Sequence, residues 1–253
     1  MQISPPFGYQ AIAPFLRNQR VKLPPAGTLP EFTRELNAIP VSYTEFNIAY
    51  RDYPLVFSSG DEGKTFAPVA VLGLTMQENL FNASGQWAAG TYVPAYVRRY
   101  PFCMARVTLD NVEQSERLIC AEKNSVAAEG SADGELMFDD KGAALPRWTM
   151  IEKLLQEYEA DLERTREMCA ILADYGLLEP FSMQATLNAG GGEMQLTGMF
   201  RVEEKKLELL NANQHKNLIK KGVMGKIYTH LLSLDNFARL LDRKAARVEQ
   251  AKA

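Results

Sequence analysis

The stretch that most constrains the fold is "RWTMIEKLLQEYEADLERTREMCAILADYGLLEP". Trp148, Ile151, Leu155, Tyr158, Leu162, Thr165, Cys169 and Leu172 recur at alternating steps of three and four. That spacing puts one apolar stripe along a helix from about Arg147 to Tyr175, with charges on the other faces. Gly176 supplies a left-handed residue just past the end, and Pro180 blocks continuation. The chain therefore turns back in "GLLEP", folding Leu177 or Leu178 onto the last helical turn. A helix with a single apolar face needs a partner layer, and the flanking segments supply strands.

Before the helix, "YPLVFSS" and "TFAPVAVLGL" are β-branched and aromatic runs separated by the turn segment "GDEGK". "NLFNASGQW" reads as a hairpin cornering at Asn82–Gly85. A strand starting near Phe102 and a second one, "RLICAE", flank a polar loop between Ala105 and Leu118. If that hairpin closes symmetrically, Cys103 and Cys120 meet across the ladder; otherwise they are two buried free thiols. Upstream, Ser42 and Glu45 fit a capping box for a short helix over 43–50. Residues 122–146 read as an acidic loop with one short strand around Leu136–Phe138.

After the helix, Phe181, Met183, Ala185 and Leu187 alternate on one strand. Met194, Leu196, Phe200 and Val202 alternate on the return, with "NAGGGE" as the turn and one apolar face against a helix. Gly222 separates a helix ending near Lys221 from one starting near Val223. In the second, Val223, Ile227, His230, Leu234, Phe237 and Leu241 form a stripe. The fold class is α+β: a strand-rich N-terminal half, a long amphipathic helix, a β-hairpin and C-terminal helices. We expect a Pro-rich arm over 1–20, a single composite domain over 21–243 and a basic tail over 244–253.

Composition excludes some function classes. A net charge of −3 and 46% hydrophobic residues give no bulk bias toward nucleic acid or membrane. No apolar stretch approaches the roughly 20 residues of a membrane span. The N-terminus, broken by Pro5, Pro6 and Pro14, does not read as a secretory signal. Three cysteines without a C-x-x-C pair argue against a disulfide framework or zinc ribbon and for a reducing, cytoplasmic setting. From Lys205 onward, eleven basic residues face four acidic ones, a balance of +7 that leaves about −10 for the rest. Such a segment is a solvated face, a surface drawn onto the acidic remainder, or a site for an acidic partner. Nucleic-acid binding by these helices is a weaker alternative.

No nucleophile elbow or metal-binding histidine pattern is present. The acids of "DEG" and "FDDKG" read as solvated loop residues, and the glycines of "NAGGGE" as a hairpin turn. No metal or cofactor is expected. His230, on an apolar stripe, reads as a hydrogen-bonded core or interface histidine.

The densest set of binding-type side chains lies in "GTYVPAYVRRYPF". Arg98 and Arg99, flanked by Tyr92, Tyr96 and Tyr100, suit an anion or an aromatic ligand. Adjacent arginines on an extended chain point to opposite faces, so at most one faces a given pocket. A helical turn between Pro94 and Pro101 would align the tyrosines. The structural alternative is a sheet corner braced by aromatics and prolines, with the arginines paired to acids.

"RDYPLVF", "ENLF", "YVPAYVRRYPF", the "LIC" strand, "GLLEP", "LTGMFRVEEKKL" and "IYTHLLSLDNFARL" occur in the order and spacing of the bacterial SapC family. The chain resembles that family over about residues 20–243. Arg201 and His230, which lie within two of these motifs, join Tyr92, Tyr96, Arg98, Arg99 and Tyr100 as candidate ligand- or partner-binding residues. It carries over no catalytic residues. The family's name comes from a protein linked to a paracrystalline surface layer, and its members are often encoded near halogenase-like, dioxygenase and TonB-dependent receptor genes. We expect a cytoplasmic protein, non-enzymatic or accessory, that uses the face around Tyr92–Phe102 to hold a peptide or protein partner. That partner would belong to a modifying enzyme or to surface-layer biogenesis. A transporter permease shares the name, but the lack of a membrane span argues against that role. The rival expectation is an enzyme or small-molecule binder for an anionic or aromatic ligand clamped by Arg98 or Arg99.

Overall fold

A computed structural model describes residues 4–25, 27–83, 85–109, 112–187 and 192–252. In chain order the elements begin with β1 (Ile12–Pro14), β2 (Arg20–Val21), β3 (Ala38–Pro40), α1 (Phe46–Ala49), β4 (Leu55–Ser58) and β5 (Ala67–Val71). Then come β6 (Asn82–Ala83), β7 (Gln86–Trp87), α2 (Ala95–Arg98), β8 (Phe102–Leu109), β9 (Val112–Glu122), β10 (Glu135–Leu136) and α3 (Pro146–Asp174). The C-terminal part holds β11 (Leu178–Leu187), β12 (Gly192–Val202), α4 (Glu204–Leu207), α5 (Ala212–Lys220), α6 (Val223–Ser233) and α7 (Asn236–Lys252). The fold is α+β, and it divides into two units: Met1–Thr33 with Ala95–Ala160, and Arg34–Pro94 with Asp161–Ala253.

In the first unit, β1, β9 and β8 form an antiparallel sheet in that order, and β2 pairs with β10. The N-terminal segment turns at Pro6–Tyr9, where Tyr9 N–H bonds Pro6 O at 3.0 Å, and β1 then lies on β9 with Ala13 opposite Ala121. One cluster holds Val21, Phe102, Ala121, Met137, Trp148 and Leu155. Tyr9, Ile12, Cys103, Ala105 and Cys120 form a second. In the β8–β9 hairpin Cys103 sits opposite Cys120, and both are buried free thiols; the register shifts once, between Arg106 and Thr108. The expected polar loop after Ala105 is corrected. The ladder runs on to Leu109 opposite Val112, because backbone pairing does not require an apolar sequence; the corner at 110–111 lies outside the described residues.

The second unit is built on a five-stranded antiparallel sheet, β11-β12-β4-β5-β3. The expected alternation on β12 needs a correction. Gly198, at φ +76°, accompanies a bulge, and the register jumps between Phe181↔Met199 and Met183↔Leu196. Met199 thereby takes the buried position expected of Phe200, while Phe200 packs edge-on to Phe66 at 5.0 Å. A bulge adds one residue to one strand and so exchanges the faces beyond it. The "NAGGGE" turn at 188–191 lies outside the described residues. The 42–50 segment also starts later than expected. Glu45 accepts from the Ser42 N–H and hydroxyl, each at 2.8 Å. Its own N–H bonds the Ser42 carbonyl, not the hydroxyl, so a turn precedes the single helical turn of α1.

α3 matches the predicted helix. Trp148, Leu155, Tyr158, Thr165, Cys169 and Leu172 are buried along its stripe. Each large buried side chain contributes roughly 1.5–3 kcal/mol. Intrahelical ion pairs such as Lys153–Glu157 contribute only about 0.2–0.5 kcal/mol each, so packing holds the helix. Its end is a Schellman turn: Leu177 N–H reaches Leu172 O at 3.0 Å, Gly176 sits at φ +63°, and Leu177 is buried.

Candidate functional site

The "VPAYVRRYP" segment forms the expected knuckle. Pro94 precedes α2, and Arg99 N–H bonds Ala95 O at 3.0 Å. Pro101 lacks the N–H to continue, and β8 begins at Phe102. On a helical turn Tyr96 and Arg99, three apart, share a face. Arg98 is rotated away and exposed, whereas Arg99 is 5% exposed.

Arg99 is enclosed by phenol rings of its own unit. Its guanidinium carbon lies 4.2 Å from the Tyr96 ring centre, 4.9 Å from Tyr158 and 5.7 Å from Tyr9. Cation–π attraction strengthens when the partners are desolvated, so the rings compensate part of the burial cost. Arg99 Nε is buried without a hydrogen-bond partner. Two of the phenols also tie down the N-terminal segment and the start of β8. Tyr96 donates to Phe7 O at 2.7 Å, and Tyr9 donates to Phe102 O at 2.8 Å. Tyr100 packs on Tyr9 and Phe32, with ring centres 5.3 and 5.6 Å apart. Burial pushes the Tyr9 and Tyr96 phenols above their ordinary range, with Arg99 pulling the other way. Burial likewise pushes the Cys103 thiol up to about 12 and Cys120 up to about 11. Both are held as thiols at neutral pH, which removes their nucleophilic form.

The other sequence candidates lie in the second unit. Tyr92 donates to Glu45 Oε1 at 2.9 Å, its N–H bonds Asp52 at 2.8 Å, and its carbonyl accepts from Tyr53. Arg201 pairs with its cross-strand neighbour Glu179 at 2.8 Å and lies 5.1 Å from the Phe181 ring centre. His230 is fully buried; Nε2 accepts from Val202 N–H at 3.0 Å, and Nδ1 faces Leu55 O at 2.7 Å. The knuckle thus brings Tyr96, Arg99 and Tyr100 together with Tyr9 and Tyr158, which sequence reasoning did not place there. Tyr158 had been legible only as part of the helix stripe, and Tyr9 lay in a segment without periodicity.

The first unit also carries an open cleft of about 590 Å³ that the sequence did not reveal. Phe15, Leu16, Leu118, Ile119, Phe138 and Trp148 line it, with Arg17 and Glu152 as charged members. The Phe15 and Phe138 rings pack on Trp148 at 5.4 and 5.0 Å. Leu16 and Leu118 are 54% and 39% exposed. Four separate chain segments assemble this surface, so no local motif announces it.

Among the described residues, no helix is long and apolar enough to cross a membrane, and no group of three or more His, Cys, Asp or Glu is placed to hold a metal ion. No curated protein and no solved structure matches the chain. The SapC family model matches residues 19–240, most of the sequence, and the chain therefore belongs to the SapC family.

Proposed function

We propose that this SapC-family chain is a cytoplasmic accessory protein that holds a peptide or protein partner. The partner would belong to a modifying enzyme of halogenase or dioxygenase type, or to surface-layer biogenesis. The observation that carries the reading is the aromatic cleft of the first unit. Its volume falls in the range of roughly 300–1,000 Å³ that suits ligand binding, and apart from Arg17 and Glu152 its lining residues are apolar or aromatic in type. The occupant is a peptide segment with aromatic or branched side chains. Arg17 and Glu152 supply charges of both signs for its backbone and polar groups. The groups best suited to chemistry support a binding role, because they are held inside the fold. His230 bridges two strands, Arg99 is enclosed by rings, and Cys103 and Cys120 are buried thiols. In this reading Tyr96 and Tyr9, packed around Arg99, fix the N-terminal segment that leads into the cleft wall at Pro14–Arg17.

The test is selection from a random dodecapeptide display library, followed by titration of synthesised winners. Enriched peptides should carry aromatic or branched residues. Leu16→Glu with Leu118→Glu should weaken them at least tenfold without moving the thermal midpoint. Met76→Glu, at a residue 87% exposed in the second unit, should have no effect. Absence of enrichment, or binding indifferent to the rim substitutions, would refute the proposal.

A further inference from the structure

The second unit carries a groove of about 350 Å³ with a different chemistry. Met168, Ile171 and Val223 form its apolar floor; Arg164, Lys220 and Lys221 stand around it with a single acid, Glu167. Its shape depends on Gly222. That residue adopts φ +69°, and a Cβ there would lie 2.5 Å from the Tyr43 hydroxyl. Tyr43 in turn donates to Lys221 O at 3.0 Å.

The cations outnumber their local partners. Lys221 contacts Glu167 at 2.5 Å, with both side chains about half exposed. Arg164 reaches Asp161 only loosely, at 3.7 Å, and its side chain is 62% exposed. Lys220 is exposed and makes no ion pair among the described residues. Exposed pairs of this kind contribute little to stability, so a ligand carboxylate can exchange into them at little cost. The surplus of positive charge over an apolar floor defines the occupant.

We infer that this groove binds an acidic peptide segment, with carboxylates on Arg164, Lys220 and Lys221 and one apolar side chain on the Met168–Val223 floor. The inference rests on the reading of the chain as a peptide-binding protein, but it uses a separate surface. A polyanion without apolar side chains leaves the floor unfilled and meets Glu167. Tyr43 is the aromatic residue of the lining, and Lys226 lies 4.5 Å from its ring centre, so a stacking base competes with that cation.

The probe is a fluorescein-labelled decapeptide of Asp, Glu and Leu, followed by anisotropy. Its control replaces the acids with Asn and Gln. The acidic peptide should bind at least tenfold tighter than the control and weaken as salt is added. Lys220→Glu with Lys221→Glu should weaken it at least tenfold, whereas Leu16→Glu with Leu118→Glu should not. Equal binding of both peptides, or indifference to the lysine reversals, would overturn the inference. So would tighter binding to single-stranded oligonucleotide or to vesicles of phosphatidylserine. If peptides selected on the aromatic cleft still bind normally, such a failure is confined to this groove. If neither surface takes any peptide, the broader reading fails with it.

Discussion

His230 illustrates how a single side chain can be both buried and essential to the sheet. One ring nitrogen must accept from Val202 N–H, so the other carries the proton and donates to Leu55 O. Burial, the largest influence, lowers its pKa to about 4. An unfolded histidine titrates near 6.5. Between these values the unfolded chain binds the proton more readily, so stability is highest above about pH 6.5 and declines as pH falls toward 4. The expected slope from this residue is about 1.4 kcal/mol per pH unit. Urea denaturation from pH 7 to 4 should show it, and His230→Asn should remove that part of the slope while lowering stability at pH 7. An unchanged slope would mean that the imidazole does not stay neutral. The histidine's core character was readable from its apolar stripe; its two backbone partners, from strands far away in sequence, were not. The same holds for Arg98 and Arg99. The sequence indicated that only one could face a given pocket, but Tyr9 and Tyr158 select Arg99, and only the tertiary structure brings them near.

The elements were most legible where a repeat and a stop signal agreed, as in α3 with Gly176 and Pro180. They were least legible where one polar side chain redirects the backbone. The stripe from Val223 to Leu241 predicts one helix, yet α6 ends at Ser233 and α7 starts at Asn236. Ser233 donates to His230 O at 2.5 Å and accepts from Leu55 N–H at 2.9 Å. Asn236 donates to Tyr50 O at 2.6 Å and Tyr53 O at 3.1 Å. These contacts fix a turn at Leu234–Asp235 that periodicity does not encode. Gly222 is different, because the break it causes was predicted and its cost can be separated into two parts. A left-handed backbone costs a non-glycine residue roughly 1–2 kcal/mol, and a Cβ would also press on the Tyr43 hydroxyl. Gly222→Ala should therefore cost more than about 2 kcal/mol in the parent. In a Tyr43→Phe background only the backbone part, about 1–2 kcal/mol, should remain. A double-mutant cycle by urea denaturation measures the difference; identical costs in both backgrounds would show that the ring yields freely.

Across the molecule, charge is segregated by sequence, and the second unit uses much of the basic share internally. Lys244 pairs with Glu78, and Arg243 lies 4.3 Å from the Phe81 ring centre. Arg247 donates to Asn79 O at 2.9 Å and Asn82 O at 3.1 Å, and Arg239 donates to Arg51 O at 3.0 Å. Phe237 and Leu240 of the same helix are buried. Of the readings open to a +7 segment, α7 thus follows attachment to the rest of its own unit more than a solvated face. The sequence showed the imbalance but could not show that backbone carbonyls, as well as acids, would answer it. The sites differ in burial, and that predicts an order of importance. The Asn79 and Asn82 carbonyl contacts are both half-buried, so removing Arg247 takes a charged donor from sites partly shielded from water, and charge-assisted bonds contribute roughly 1.5–3 kcal/mol. Arg247→Ala should cost about 2–3 kcal/mol. Arg247→Lys should recover only part, because one ammonium cannot reproduce a two-pronged guanidinium contact. Arg239→Ala, at an exposed bond, should stay within about 0.5 kcal/mol. Urea midpoints for the three variants check the order, and equal losses for Arg247→Ala and Arg239→Ala would show that α7 is held by its apolar face alone.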